Sequence, residues 1–130
     1  MSVSFSTIFE SELPPYGKLG GDHVFLSRHK DTVDRIASEN GLIALSSFES
    51  YDPSDFDEFL DEEQLDQLPE LQWFDPAPGL AAIRALIVYI GSHTDAVPDQ
   101  TQVLTDLDGI GAELADGERA GVRFRFAIVP

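Results

Sequence analysis

The sequence contains no cysteine among its 130 residues. A chain without thiols cannot form disulfides, iron–sulfur clusters or thiolate zinc sites, and it cannot use a cysteine nucleophile. It is also poor in cations, because 8 lysines and arginines stand against 24 acids and give a net charge of −16. Nucleic-acid binding depends on Lys and Arg side chains that neutralise phosphates, so this balance argues against a nucleic-acid partner. An anionic membrane surface would repel the chain for the same reason.

Long apolar runs and catalytic motifs are absent as well. No stretch is long enough to cross a bilayer, and the N-terminal residues lack the basic start and apolar run of a signal peptide, so we expect a cytoplasmic protein. No serine lies in a G-x-S-x-G motif, and no two of His23, His29 and His93 have the i, i+4 spacing of a helical metal site. We therefore predict no catalytic residue, no metal site and no cofactor.

Two weaker signals favour chemistry. His23, next to Asp22 in a glycine-rich stretch, is the best candidate for an acid–base residue, but catalysis also needs a nucleophile and a shaped pocket. The run Asp106–Gly111 resembles part of a calcium loop. It fails because loop positions 1 and 12 would be Leu104 and Ala115, where the loop requires carboxylates.

What the chain does contain indicates a globular fold. A hydrophobic fraction of 42% and nine phenylalanines are typical of a folded chain. A chain of this length buries about two thirds of the surface that its unfolded form exposes. We predict one domain over residues 1–130.

The longest apolar segment is Trp73–His93, and it carries the clearest helix-start signal. Asp75 can cap the first turn, and Pro76 suits the first helical position because its missing N–H would have no partner there. From Leu80 to Ile90 the only charge is Arg84. A helix that is apolar all round is a buried one, so we expect this segment to be the central helix, buried on all sides. Arg84 then either forms a structural ion pair or lies at the surface, or else it binds a ligand.

Residue periodicity predicts the other elements. Strands are expected at Val3–Phe9 and Val122–Val129, and we expect these two strands to pair. Helices are expected from Ser27 or Asp31 to about Asn40, from Asp52 to Leu68, and from Asp99 to Ala120, with Gly109–Gly111 as the place for a kink in the last one. The predicted fold is α+β, with a small, mainly antiparallel sheet containing the N- and C-terminal strands, packed against about four helices.

The middle of the chain is strongly acidic. Between Ile36 and Ile83 lie twelve Asp and Glu residues and no Lys, Arg or His. The acids serve solubility, or they form a functional face that imitates a row of phosphates, docks on a basic partner or loosely binds divalent cations. The candidate binding residues are Asp55, Asp57, Glu58, Asp61, Glu62, Asp66 and Trp73. Trp73 either covers the core or contributes to an interface, where aromatic residues are enriched.

Three blocks of sequence resemble segments of small acidic bacterial proteins of uncharacterised function. They are WFDPAPGLAAIRALIVYI, AVPDQTQVLTDL and AGVRFRFAIVP, which lie in roughly the last 60 residues. The shared pattern is W-[FY]-D-P-x-x-G-L at a helix start, a Val-Leu-x-Asp-Leu helix and a G-V-R-F strand. The resemblance implies no activity and assigns no functional residue. Small, acidic, cysteine-free proteins include immunity proteins that neutralise secreted toxins, which is an analogy of type and not of motif.

The sequence leaves three functional hypotheses open. The first is a non-enzymatic, immunity-like interaction protein whose acidic Asp52–Glu70 face docks on a basic partner. The second is a structural homodimer joined through an apolar surface contributed by Phe56, Phe59, Trp73 or Phe74. The third is an enzyme that uses carboxylates with a metal, which needs three or more Asp or Glu side chains that converge in a cleft.

Overall fold

The computed structural model of the chain describes residues 3–13, 23–53, 58 and 60–129. Two strands and four helices lie within these ranges, together with a short 3-10 turn at Leu45–Phe48. In chain order the strands and helices are β1 (Ser4–Phe9), α1 (Val24–Glu39), α2 (Glu62–Asp66), α3 (Pro76–Gly91), α4 (Gln100–Ala120) and β2 (Phe124–Val129). The predicted α+β class is confirmed.

The two strands form an antiparallel sheet, as predicted. The register runs from Ser4 opposite Val129 to Phe9 opposite Phe124. The free edge of β2 is covered by two isolated bridges, one to Glu49 and one to Phe74. Phe74 and Phe124 exchange both backbone hydrogen bonds, at 2.8 and 2.9 Å. The C-terminal strand is therefore enclosed on both edges in the described structure, and four consecutive residues from position 124 to 127 are buried.

Helix α3 begins where the sequence predicted, with Asp75 as the N-cap residue and Pro76 in the first turn, although the Asp75 side chain accepts no capping hydrogen bond. Its inner face packs against α4 and the sheet, and Ile83 and Ile90 are completely buried. Gly79 allows the close approach to β2, because a Cβ atom there would lie 2.4 Å from Cζ of Phe124.

The expectation that α3 is buried on all sides is wrong for one face. Arg84 is exposed, and Val88 has 68% of its surface in contact with solvent. The physical reason is geometric: α4, the 3-10 turn and, at Gly79, strand β2 cover the inner side, and the described neighbours leave the Ala81–Arg84–Val88 side open. Because apolar residues occur all round the helix, the sequence does not show which part of the helix surface packs against other elements.

Helix α4 runs without interruption through Gly109–Gly111, so the kink that these glycines suggest does not form. Gly111 faces α3, with a Cβ position 3.7 Å from Cγ2 of Ile83, and the small residue brings the two helices together. The helix ends at Gly121, whose φ of 70° is the left-handed cap conformation that glycine adopts without strain.

The first two helices differ more from the predictions. Helix α1 begins at Val24, earlier than expected, directly after His23 in a left-handed conformation. The predicted helix Asp52–Leu68 is much shorter, because α2 covers only Glu62–Asp66 among the described positions. Asp61 starts it, since its side chain accepts a hydrogen bond from Gln64 N and its own N–H donates to the Gln64 side chain.

None of the helices in the described parts of the chain has both the length and the apolar composition needed to cross a membrane.

Candidate functional site

The acidic segment, defined here as residue 58 and residues 60–70, is the part of the predicted binding face that the structure describes. Two of the predicted binding residues, Asp55 and Asp57, lie outside the described residues. All acidic side chains of the segment are exposed: Glu58, Asp61, Glu62, Glu63, Asp66 and Glu70. Asp61 is held by the capping box of α2. In the described structure none of these carboxylates takes part in an ion pair, so their charges face solvent.

Trp73, the remaining predicted binding residue, follows the segment and is half-buried. The guanidinium carbon of Arg125 lies 5.3 Å from the centroid of its ring, within the range of a cation–π interaction. Arg125 itself is buried and donates a hydrogen bond to the carbonyl oxygen of Ser50 at 2.7 Å. The Ser50 hydroxyl oxygen also accepts a hydrogen bond from Gln72 N at 2.7 Å. Gln72 and Trp73, which follow the acidic segment closely in the chain, are therefore anchored next to the sheet.

Phe74, proposed with Trp73 as part of a dimer surface, contributes to the core. Its ring packs edge-on against Phe48, with centroids 5.5 Å apart, and it also contacts Phe124. The other two members of the proposed dimer surface, Phe56 and Phe59, lie outside the described residues.

His23, the acid–base candidate, is buried. Only 5% of its surface is exposed, and its Nε2 atom is hydrogen-bonded to the Glu113 carboxylate of α4. Its Nδ1 atom lies 3.8 Å from Asp106, whose other oxygen accepts a hydrogen bond from Leu26 N at 2.9 Å. Asp22, the neighbour that suggested acid–base chemistry, lies outside the described residues. The histidine therefore joins the start of α1 to α4 through two carboxylates.

Glu113 is the residue of this cluster that sequence reasoning missed. The signal in the sequence was the spacing of Asp106 and Glu113, which are seven residues apart and thus lie on one face of a helix. That spacing puts both carboxylates on the same side of α4, but nothing local identifies a histidine 90 residues away as their partner.

The other two histidines also contact groups of the chain itself. The His29 Nε2 atom lies 2.8 Å from a carboxylate oxygen of Asp99. His93 follows α3; its Nδ1 atom lies 2.6 Å from the carbonyl oxygen of Tyr89, and the two rings are stacked with centroids 4.0 Å apart. In the parts of the chain that the structure describes, no three His, Asp or Glu side chains are grouped so that they could hold a metal ion.

A second cluster of charges surrounds Lys30 on α1. Its Nζ atom lies 2.8 Å from Glu49 and 3.4 Å from Asp34, and all three side chains are largely buried. Burial lowers the pKa of Lys30, but the hydrogen bonds and negative charges of Glu49 and Asp34 outweigh burial and raise this pKa above its ordinary value. Burial and the Glu49 charge likewise raise the pKa of Tyr51, although the hydrogen bond from Ile128 N opposes the shift.

The exposed face of α3 forms one side of an open groove of about 530 Å³. Its lining is almost entirely apolar in surface and consists of Leu42, Arg84, Ala85, Val88, Tyr89, Ser92 and His93. Arg84 forms no ion pair within the described structure, so of the two structural interpretations the surface arginine is the one observed. Sequence reasoning did not find this groove, because it assigned the whole circumference of the helix to the core.

A scan against protein-family models finds no match to the chain, and searches of curated proteins and of solved structures find none either. The resemblance to small acidic bacterial proteins stays a prediction from the quoted motifs. Any functional conclusion therefore rests on the geometry and charge of the chain's own residues.

Proposed function

We propose that the protein is a non-enzymatic interaction protein, of the type represented by immunity proteins, and that the acidic segment docks on a basic partner. The observation that supports this proposal is the state of six carboxylates between Glu58 and Glu70. They are exposed, no Lys, Arg or His lies among them in the sequence, and in the described structure they form no ion pairs.

Unpaired exposed carboxylates favour association for two reasons. They attract a cationic surface over about 8–10 Å at physiological salt, which speeds the encounter. On contact they accept charge-assisted hydrogen bonds from Lys and Arg without first breaking an internal ion pair. Trp73, anchored through Arg125 and only half-buried, adds aromatic surface next in the chain to this face.

Asp55 and Asp57 belong to the proposed face as predictions from the sequence. No observation favours the homodimer, since Phe74 is committed to the core and two other members of its surface lie outside the described residues. The carboxylate- and metal-dependent enzyme has no cluster of donors in the described structure to support it. Neither is proposed as a second function.

The proposal is tested with a variant in which four carboxylates of the segment are neutralised, Glu58→Gln, Glu62→Gln, Glu63→Gln and Asp66→Asn. Asp61 is kept because it caps α2. The matched control carries the same loss of charge at four exposed acids elsewhere, Asp31→Asn, Glu39→Gln, Asp108→Asn and Glu118→Gln. Partners retained by the wild-type chain are identified by mass spectrometry, purified, and titrated against all three proteins at low and high salt.

We expect a basic partner whose affinity falls steeply with salt, a loss of about tenfold or more for the segment variant, and a smaller loss for the control. Equal losses for both variants would show that only net charge matters and would contradict the assigned face. Binding that does not respond to salt would contradict the electrostatic mechanism itself.

A further inference from the structure

The groove on α3 has the size and repeat of a helix-binding surface. Arg84, Ala85, Val88, Tyr89 and Ser92 lie at positions i, i+1, i+4, i+5 and i+8 of the helix and its end, which span about 12 Å. Leu42, which precedes the 3-10 turn, also lines the groove. Val88, which lines the groove, is 68% exposed and is one of the four exposed large hydrophobic residues of the described structure.

The charge in this groove is opposite to that of the chain as a whole. The lining contains Arg84 and no carboxylate, although acids outnumber Lys and Arg by 24 to 8 in the sequence. Helix α3 has no acidic residue at all, and Arg84 has no ion-pair partner in the described structure. An exposed, unpaired guanidinium beside apolar surface is complementary to a ligand that combines apolar groups with a carboxylate.

His93, at one end of the groove, adds a second side chain that could donate a hydrogen bond to a carboxylate. A carbonyl oxygen only accepts, so the contact with Tyr89 O requires the proton of His93 on Nδ1. The Nε2 atom, which has no partner in the described structure, then donates to a carboxylate only in the imidazolium form. Arg84, whose guanidinium offers several N–H donors to a carboxylate, is therefore the main determinant.

We propose that this groove binds an acidic amphipathic helical segment of another protein, with its apolar stripe against Val88, Tyr89 and Leu42 and an Asp or Glu side chain on Arg84. Apolar anchors at i, i+4 and i+7 of such a segment span about 10 Å, which matches the groove. The groove is open along one side and would leave much of a small molecule in solvent, whereas small-molecule sites bury most of their ligand.

A second copy of the chain fits this groove less well. A two-fold contact across one helix face is self-complementary, so it would bring two Arg84 guanidinium groups into the same small patch. Each partner would also carry a net charge of −16. An acidic segment from a different protein would place a negative charge against Arg84, and it would contact the chain only at the groove.

The inference is independent of the proposed function, because the two surfaces select partners of opposite charge. The test uses the full-length chain labelled with ¹⁵N and three synthetic peptides of equal length. The first is an amphipathic helix with a leucine stripe and a glutamate-rich polar face. The second has the same stripe with lysine in place of glutamate, and the third has the composition of the first in an order without a stripe. Amide shifts report which surface each peptide contacts.

We expect the acidic amphipathic peptide to shift the amides of Ala85, Val88, Tyr89 and Ser92. The lysine peptide should act at the acidic segment, and the shuffled peptide at neither surface.

Arg84→Gln should weaken binding of the acidic amphipathic peptide by about fivefold or more, and Val88→Asp should abolish it. Arg119→Gln, which removes an exposed cation from the last turn of α4, is the matched control and should have no effect. Unchanged dispersion of the remaining amides establishes that each variant is folded.

Three results would overturn the inference. The first is an absence of shifts in the groove at millimolar acidic peptide. The second is equal binding of the acidic peptide by Arg84→Gln and the wild type, which would leave only non-specific apolar contact. The third is a response of the groove amides to a simple alkyl carboxylate such as decanoate with none to the peptide, which would assign the groove to a small amphiphile.

Discussion

The carboxylates of this chain occur in two kinds of surroundings. Glu113 and Asp106 lie around the buried His23, and Asp34 and Glu49 lie around Lys30. The carboxylates of the acidic segment lie in solvent and form no ion pairs in the described structure. Carboxylates of the first group connect α1 to α4 and to the 3-10 turn, so they contribute to the fold. Carboxylates of the second group connect no such elements, so they are available to bind another molecule.

The difference follows from the distribution of cations along the chain. His23, Arg28, His29, Lys30 and Arg35 fall within or directly before α1, whereas residues 36–83 contain no cationic side chain. The acids that face α1 from neighbouring elements, such as Glu49, Asp106 and Glu113, therefore acquire partners. The acidic segment belongs to the part of the chain without cations, and no basic element folds over it in the described structure.

The largest effect is expected for Glu113→Ala. The substitution leaves His23 buried without its closest partner, and breaking a buried pair costs about 3 kcal/mol or more of unfolding free energy. Urea denaturation followed by circular dichroism measures the loss. Glu118→Ala, an exposed position on the same helix, should stay within about 0.5 kcal/mol of the wild type. Similar unfolding free energies for the two variants would show that the contact between His23 and Glu113 does not stabilise the fold. The paired and the exposed carboxylates would then not differ in their contribution to stability.

A smaller loss, about 1–3 kcal/mol, is expected for Lys30→Met. The substitution leaves Asp34 and Glu49 close together without the cation between them, and hydrogen-bonded charged groups are costly to leave unpaired when largely buried. Arg35→Met is the control, since Arg35 is exposed on the same helix and has no ion pair in the described structure. Equal unfolding free energies for the two variants would contradict the assignment of Asp34 and Glu49 to the paired group.

The same cluster predicts a dependence on alkaline pH. Because the pKa of Lys30 is raised on folding, its contribution to stability is complete below its ordinary value of 10.5 and is lost as the pH rises through the folded value. The raised pKa of Tyr51 acts in the same direction from its ordinary value of 10.0. The stability gap between the wild type and Lys30→Met should therefore narrow above about pH 10.5. A gap that stays constant through this range would show that Lys30 stabilises by packing and not by charge.

Local patterns predicted most of the fold. The Asp75–Pro76 start of α3 and the alternation of residues in β1 and β2 are signals within a few residues of each other, and the elements formed where they indicated. The start of α2 was not predicted. The aromatic stripe favoured a longer helix, whereas in the structure the capping box of Asp61 and Gln64 determines where α2 begins.

Other features were harder to predict because they depend on contacts between distant residues. His23 meets Glu113 across 90 positions, and no local pattern links them. The open face of α3 has the same composition as its buried face, so the sequence could not tell which side would lack neighbours. The acids from Glu58 to Glu70 lie in a stretch without cations, but this alone does not determine their exposure, because Glu49 of the same stretch pairs with Lys30 of α1.

The smallest effect on stability is expected for the variant neutralised at Glu58, Glu62, Glu63 and Asp66. Two contributions oppose each other: removing like charges relieves a few tenths of a kcal/mol per close pair, while Glu62 and Glu63 lose a favourable position in the first turn of α2. The net change should lie within about 1 kcal/mol and shrink further in high salt, because both contributions are screened. Urea denaturation at low and high salt measures both quantities. A loss as large as that of Glu113→Ala would mean that the segment holds internal partners after all, and its carboxylates would then be unavailable to the proposed basic partner.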